Sequence, residues 1–187
     1  MTTFIGFLRG VNVGGHRVVK MERLRALFEE LGFGDVRTYI QSGNVFFDTK
    51  PTPRVTLERK IAKHLEAKLG FDVTVFVRTV AEVEELVARD PFAGMEPTAD
   101  SRLFVMFYAE PLPPGLVLPM VSPKGDVELV GHTEREAFLV LHQRPGRPAN
   151  PGGFLEKISP QPTTGRFFHT TVKILQAAKK AVPERKR

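Results

Sequence analysis

The chain has 187 residues, 42% of them hydrophobic and 26% charged, the balance of an ordinary globular chain with room for one domain or two small subdomains. It contains no Cys, which excludes disulfides, thiolate catalysis and Cys-ligated zinc. The net charge of +6 invites a polyanion partner, but Gln176–Arg187 alone holds Lys179, Lys180, Arg185, Lys186 and Arg187 against Glu184, so the tail accounts for +4 of it. A basic end of this kind reads as solvated.

The apolar start TTFIGFL is short and lacks the cationic lead and small-residue cleavage site of a signal peptide. No uncharged apolar run approaches the roughly 18 residues needed to cross a bilayer. A cytoplasmic protein without a membrane partner is the expectation.

Phe4–Leu8 reads as a first strand. Lys20–Leu31 reads as a helix, because Leu24, Leu27, Phe28 and Leu31 fall at i, i+3, i+4 and i+7. Val36–Gln41 and Val45–Thr49 are rich in β-branched and aromatic residues and flank Ser-Gly-Asn, a hairpin signal. Arg54–Leu69 repeats the helical period through Leu57, Ile61 and Leu65 and meets Gly70, and Val73–Arg78 is a further strand. The order β-α-β-β-α-β predicts a ferredoxin-like subdomain over residues 1–80.

Residues 81–187 are expected to form a smaller C-terminal α+β subdomain ending in a helix and the basic tail. Ala81–Arg89 reads as a helix, Asp90–Ser101 as a loop and Arg102–Ala109 as a buried strand. Pro111–Asp126 has five prolines and allows only a short helix. Val127–Val130 and Ala137–His142 form a second hairpin, followed by a short helix at Phe154–Ile158 and a terminal helix at Arg166–Ala181. In that last helix Phe168, Val172 and Leu175 are expected to be buried, opposite Arg166, Thr170 and Lys173. The second half could be a degenerate echo of the first, but no repeat is strong enough in the sequence to assert it.

The segment LRGVNVGGHRVVK, Leu8–Lys20, carries the chemistry of most interest. In a plait with strand order 4-1-3-2, the end of the first strand lies on the same edge as the hairpin turn Gln41–Asn44. Two Gly-rich loops ahead of a helix N-terminus form a donor-rich anion cradle. Arg9 is its charged anchor, since a guanidinium engages a phosphate bidentately. Asn12, Asn44 and the Gly14 and Gly15 amides are neutral donors, Lys20 a second cation, and Gln41 and Ser42 complete the turn. The competing reading gives the glycines and asparagines only the work of closing turns. Neither the Walker A nor the GxGxxG pattern is matched.

LRGVNVGG, MERLRALFEELGF and VRTYIQSGNVFF together resemble a bacterial family of unknown function whose members open LRGINVGG and continue YIQSGNV. The resemblance runs from Phe4 to Asp48 and reaches the terminal segment, where Arg166, Thr170 and Lys173 fall on an Arg, a Thr and a Lys of the family pattern. It implies a two-part α+β fold with a ferredoxin-like first half, and no established activity.

The reading that follows is a small protein binding a phosphate-bearing small molecule, a nucleotide or phosphorylated metabolite, with no cofactor and no metal. Arg166, Thr170 and Lys173 join its ligand set if the terminal helix turns toward the Arg9 loop. One alternative is a single-stranded nucleic-acid module that stacks bases on Phe4, Phe7, Phe46 and Phe47. Another is an enzyme using His16 or His169 as acid or base. No two His show a compact metal-ligand spacing. The oligomeric state is not legible.

Overall fold

A computed structural model describes residues 1–180 except 16, 144 and 147. His16 and the tail from residue 181 therefore lie outside the described residues. The chain is α+β, with two antiparallel sheets and five helices among the described residues. It divides into two compact units: Met1–Glu85 with the C-terminal residues from Lys173, and Leu86–Val172.

The first unit begins with β1 (Thr2–Leu8), α1 (Met21–Glu29), β2 (Gly34–Tyr39), β3 (Asn44–Thr49), α2 (Arg54–Leu69) and β4 (Val75–Thr79). The sheet order is β2-β3-β1-β4, and every neighbour is antiparallel. The helical periods seen in the sequence bury the residues they predict except Leu31, which lies beyond the end of α1 and is only partly covered. Leu24, Leu27 and Phe28 of α1 and Leu57, Ile61 and Leu65 of α2 share a core with Phe4, Leu8, Val45, Phe47, Val75 and Val77. Phe47 stacks on Phe33 at 4.5 Å between ring centroids, so aromatic packing fixes the centre of this core. Helix α2 stops because Gly70 adopts φ 78°, left-handed, and donates its N–H to the Glu66 carbonyl.

The second unit holds β5 (Ser101–Tyr108), β6 (Met120–Val121), β7 (Val127–His132), β8 (Glu136–His142), α4 (Pro151–Leu155) and β9 (Thr163–Phe167). Helices α3 (Val80–Ala88) and α5 (Phe168–Lys179) each contribute residues to both units. The sheet order is β6-β7-β8-β5-β9. Its core gathers Met106, Tyr108, Leu129, Leu139 and Leu141 against Leu155 of α4. Gly165 on β9 leaves room for the Phe104 ring, because a Cβ there would lie 2.2 Å from Phe104 Cε1.

Three expectations for the second half are corrected. Helix α4 starts at Pro151, three residues earlier than the sequence reading, because Asn150 caps it by accepting from the Gly153 N–H at 3.0 Å. The Pro-rich stretch holds the two-residue strand β6. The terminal helix begins at Phe168, and Arg166 belongs to β9, paired with Val105 of β5. The helix phase shifts with it. Thr171, Ile174, Leu175 and Ala178 are the buried residues of α5, while Phe168 and Val172 are only partly covered.

The C-terminal end of α5 is held by Arg37 of β2. Its guanidinium donates to the carbonyls of Ala177 (2.9 Å), Ala178 (3.1 Å) and Lys180 (3.0 Å), while Asp35 accepts from its Nε. The last carbonyls of a helix lack internal partners and carry the negative end of its dipole, so a cation there satisfies both needs.

Candidate functional site

Leu8 ends β1 and donates its N–H to the Gly43 carbonyl at 2.8 Å, which joins the first loop to the hairpin turn. The contact is close: a Cβ on Gly43 would sit 3.0 Å from Leu8 Cβ, and Gly43 has φ 72°, so glycine is required there. Arg9 follows and donates its own N–H to the Thr74 carbonyl at 2.9 Å.

Asn12 is the hub of the loop. It sits at φ 57°, a left-handed conformation that Asn tolerates. Its Nδ2 donates to the Val19 carbonyl (3.0 Å) and the Gln41 carbonyl (2.9 Å), and its Oδ1 accepts from the Val19 N–H (2.7 Å). Asn12 and Val19 are thereby held together and tied to the hairpin. Asn44 is buried and donates to the Tyr39 carbonyl and Ser42 Oγ, fixing the turn from inside. Both asparagine amides thus spend their donors on structure.

The charged groups are arranged differently. Arg9 and Lys20 are exposed, and neither side chain has a hydrogen bond or ion pair among the described residues. Lys20 is also the residue before α1, which has no side-chain cap. Gly14 and Gly15, at φ 62° and 75°, face open space. Arg9 and Asn12 of the first loop thus lie at the same end of the first sheet as Gln41, Ser42 and Asn44 of the turn, with Gly14, Gly15 and Lys20 further along the loop.

Arg166, Thr170 and Lys173 do not form the helical face that the sequence suggested. Arg166 is on β9, where it donates to Thr164 Oγ1 (3.1 Å) and the Gly165 carbonyl (2.7 Å). Burial pushes its guanidinium down to about 10, which still leaves it charged at neutral pH. Thr170 and Lys173 remain on α5, with Lys173 exposed. His169 is exposed and its ring stacks on Phe167 at 5.7 Å. Among the described residues no group of three His, Asp or Glu could hold a metal ion, and no helix is long and apolar enough to cross a membrane. Phe4, Phe7, Phe46 and Phe47 are all buried, so these rings are not available as a stacking platform.

Four residues at the edge were not singled out from the sequence. Arg17, at φ 53°, pairs with Asp72 at 3.1 Å and lies over the Phe71 ring. Val13, Val18 and Ile40 are exposed. A cation between two Gly and two Val was legible for Arg17; the exposure of the aliphatics was not, since apolar residues beside a strand look like core.

A cleft of about 290 Å³ lies elsewhere, in the second unit, between Ser122, Lys124, Asp126, Asn150, Phe154 and Lys157. Ser122 Oγ donates to Asp126 Oδ1 at 2.6 Å, and this bond holds the carboxyl below its usual range.

The fold and this edge define a two-unit α+β protein with a Gly-rich loop pinned to a hairpin turn. The chain belongs to the family described as "Protein of unknown function (DUF1697)", whose model matches residues 1–138 and so includes both loop and turn. Its fold is similar to "The structure of conserved bacterial protein SP0830 from Streptococcus pneumoniae", with a TM-score of 0.65 over 95% of this chain and 99% of that one, at 21% identity. No curated protein matches the chain.

Proposed function

We propose that the protein binds a phosphate-bearing small molecule at the edge formed by Arg9–Lys20 and Gln41–Asn44. The observation that carries this reading is the state of Arg9: an exposed guanidinium with no partner among the described residues, beside a loop that Asn12 and Gly43 hold to the hairpin. Lys20, the uncapped start of α1 and the open Gly14–Gly15 segment add positive potential at the same edge. The asparagines serve as scaffold rather than as ligand donors, which narrows the contacting set to Arg9, Lys20, Gln41 and loop amides.

The same reading takes residues 1–80 as a ferredoxin-like subdomain, supported by the order β2-β3-β1-β4 and its antiparallel pairing. It takes the protein as cytoplasmic and the C-terminal half as a separate α+β subdomain. Burial of the four Phe favours a small anion over a base-stacked nucleic acid strand. The test is a thermal-shift screen of nucleotides and phosphorylated metabolites against the wild type and Arg9→Ala. Stabilisation of the wild type that is absent in an equally folded Arg9→Ala supports the site. Stabilisation that persists in Arg9→Ala contradicts it.

A further inference from the structure

We propose that the anion bound at this edge is the phosphate of an adenine nucleotide, whose base lies on an aliphatic shelf of Val13, Val18 and Ile40. The proposal rests on the anion-site reading and adds the body of the ligand to it.

Val13 is 64% exposed, Val18 71% and Ile40 49%. One such residue on a surface means nothing, because folded proteins always leave some apolar atoms in water. These three come from two segments, and each is the chain neighbour of a residue in the Asn12 hub. Val13 follows Asn12, Val18 precedes Val19 and Ile40 precedes Gln41. The hydrogen bonds that close the loop therefore also bring the backbone at all three positions to one end of the sheet.

Ile40 is the most telling of them. It sits at φ 48°, in the left-handed region, where a β-branched side chain is strained and where Gly or Asn is the usual choice. Burial does not offset that strain, since half of the residue faces solvent. Neither core packing nor turn chemistry accounts for an isoleucine at this position. A ligand's apolar face would.

The groups around the shelf select the kind of ligand. Arg9 and Lys20 suit a phosphate. Gln41, next to Ile40, is exposed, and its side-chain amide has no bond among the described residues. A glutamine amide offers one donor and one acceptor side by side, the pattern that matches N7 and the 6-amino group of adenine. A plain sugar phosphate would leave both shelf and amide unused. An acyl phosphate would leave the amide unused. An adenine nucleotide uses all three.

The experiment is calorimetric titration of adenosine monophosphate and of ribose 5-phosphate into the wild type, Arg9→Ala, Ile40→Asn and the triple variant Val13→Ser, Val18→Ser, Ile40→Asn. Asn suits the left-handed backbone at position 40, so Ile40→Asn keeps the fold testable if the triple variant is unstable. The expected result is that the wild type prefers the nucleotide by about tenfold or more, a difference of one decade in Kd. Both shelf variants lose most of that preference and keep their affinity for ribose 5-phosphate. Equal affinity of the wild type for both compounds overturns the shelf and leaves the anion site standing. A preference that survives in both variants also overturns the shelf. Binding of neither compound, or binding unaffected by Arg9→Ala, overturns the anion-site reading itself.

Discussion

Asn12 holds Gln41 across 29 residues of sequence: its Nδ2 donates to the Gln41 carbonyl at 2.9 Å while its other contacts close the loop on Val19. Asn12→Ala removes three hydrogen bonds and puts a residue with a Cβ and no compensating side chain at φ 57°. We expect a loss of about 1–3 kcal/mol, the cost of leaving such groups unsatisfied. For a chain of this length each kcal/mol corresponds to about 2–4 °C in Tm. Asn12→Gly relieves the backbone but not the hydrogen bonds, so its Tm should fall between those of Asn12→Ala and the wild type. Equal stability of all three would show that the hub contributes nothing.

Arg37 and the end of α5 make a second separable relationship. Arg37→Ala leaves the carbonyls of Ala177, Ala178 and Lys180 without their charged donor. A hydrogen bond to a charged group is worth about 1.5–3 kcal/mol, so the variant should be measurably less stable. Amide hydrogen exchange in the last turn of α5 should accelerate more than exchange in α2. Unchanged exchange there would mean that water replaces the guanidinium at no cost.

The phase of α5 is open to a direct comparison. Ile174 is fully buried and Val172 only partly. Ile174→Ala should cost about 2–5 kcal/mol, within the range for buried large-to-small changes, and Val172→Ala clearly less. Denaturant unfolding measures both. A larger loss for Val172→Ala would restore the phase read from the sequence.

Asp126 gives a pH-dependent prediction. Its carboxyl is held below the usual range, chiefly by the Ser122 hydroxyl and also by the Asn150 N–H. A group whose pKa is lower in the folded state adds stability above its unfolded titration range and loses it as pH falls through the folded value. Ser122→Ala should therefore move the Asp126 midpoint upward in a carboxyl NMR titration. Its stability loss should be greater at neutral pH than in acid. A pH-independent part will remain, because Ser122 Oγ also accepts from the N–H groups of Asp126 and Val127. An unmoved midpoint would contradict the assignment of the Ser122 bond as the main cause.

The first half of the chain was readable because its signals are local. The spacing of Leu57, Ile61 and Leu65, closed by Gly70, gives α2 its observed range, and Ser-Gly-Asn marks the β2–β3 turn. The meeting of the Arg9 loop with Gln41–Asn44 followed from strand order alone. The second half was harder because its decisive partners are distant. Arg166 sits within helical spacing of Thr170 and Lys173, and only pairing with Val105, far back in the chain, makes it a strand residue. Moving the helix start to Phe168 then changes which residues face inward. The start of α4 was legible, since Asn150 followed by Pro151 is a capping signal, but the two prolines and two glycines of Pro148–Gly153 have the composition of a flexible connection. For the site, charge and glycine were visible in the sequence. What the asparagines bind was not, because a side-chain amide that caps a turn and one that meets a ligand have the same local sequence.

Whether Arg9 anchors a phosphate at the loop–hairpin edge can be read from backbone amide NMR shifts as ribose 5-phosphate is titrated into the wild type and Arg9→Ala. An anchoring Arg9 gives saturable shifts centred on Arg9–Gly15 and Gln41–Gly43 in the wild type. In Arg9→Ala the affinity should fall by at least about tenfold, the equivalent of roughly 1.4 kcal/mol, with the rest of the spectrum unchanged. Saturable shifts centred elsewhere, or equal affinity in the two proteins, would contradict it.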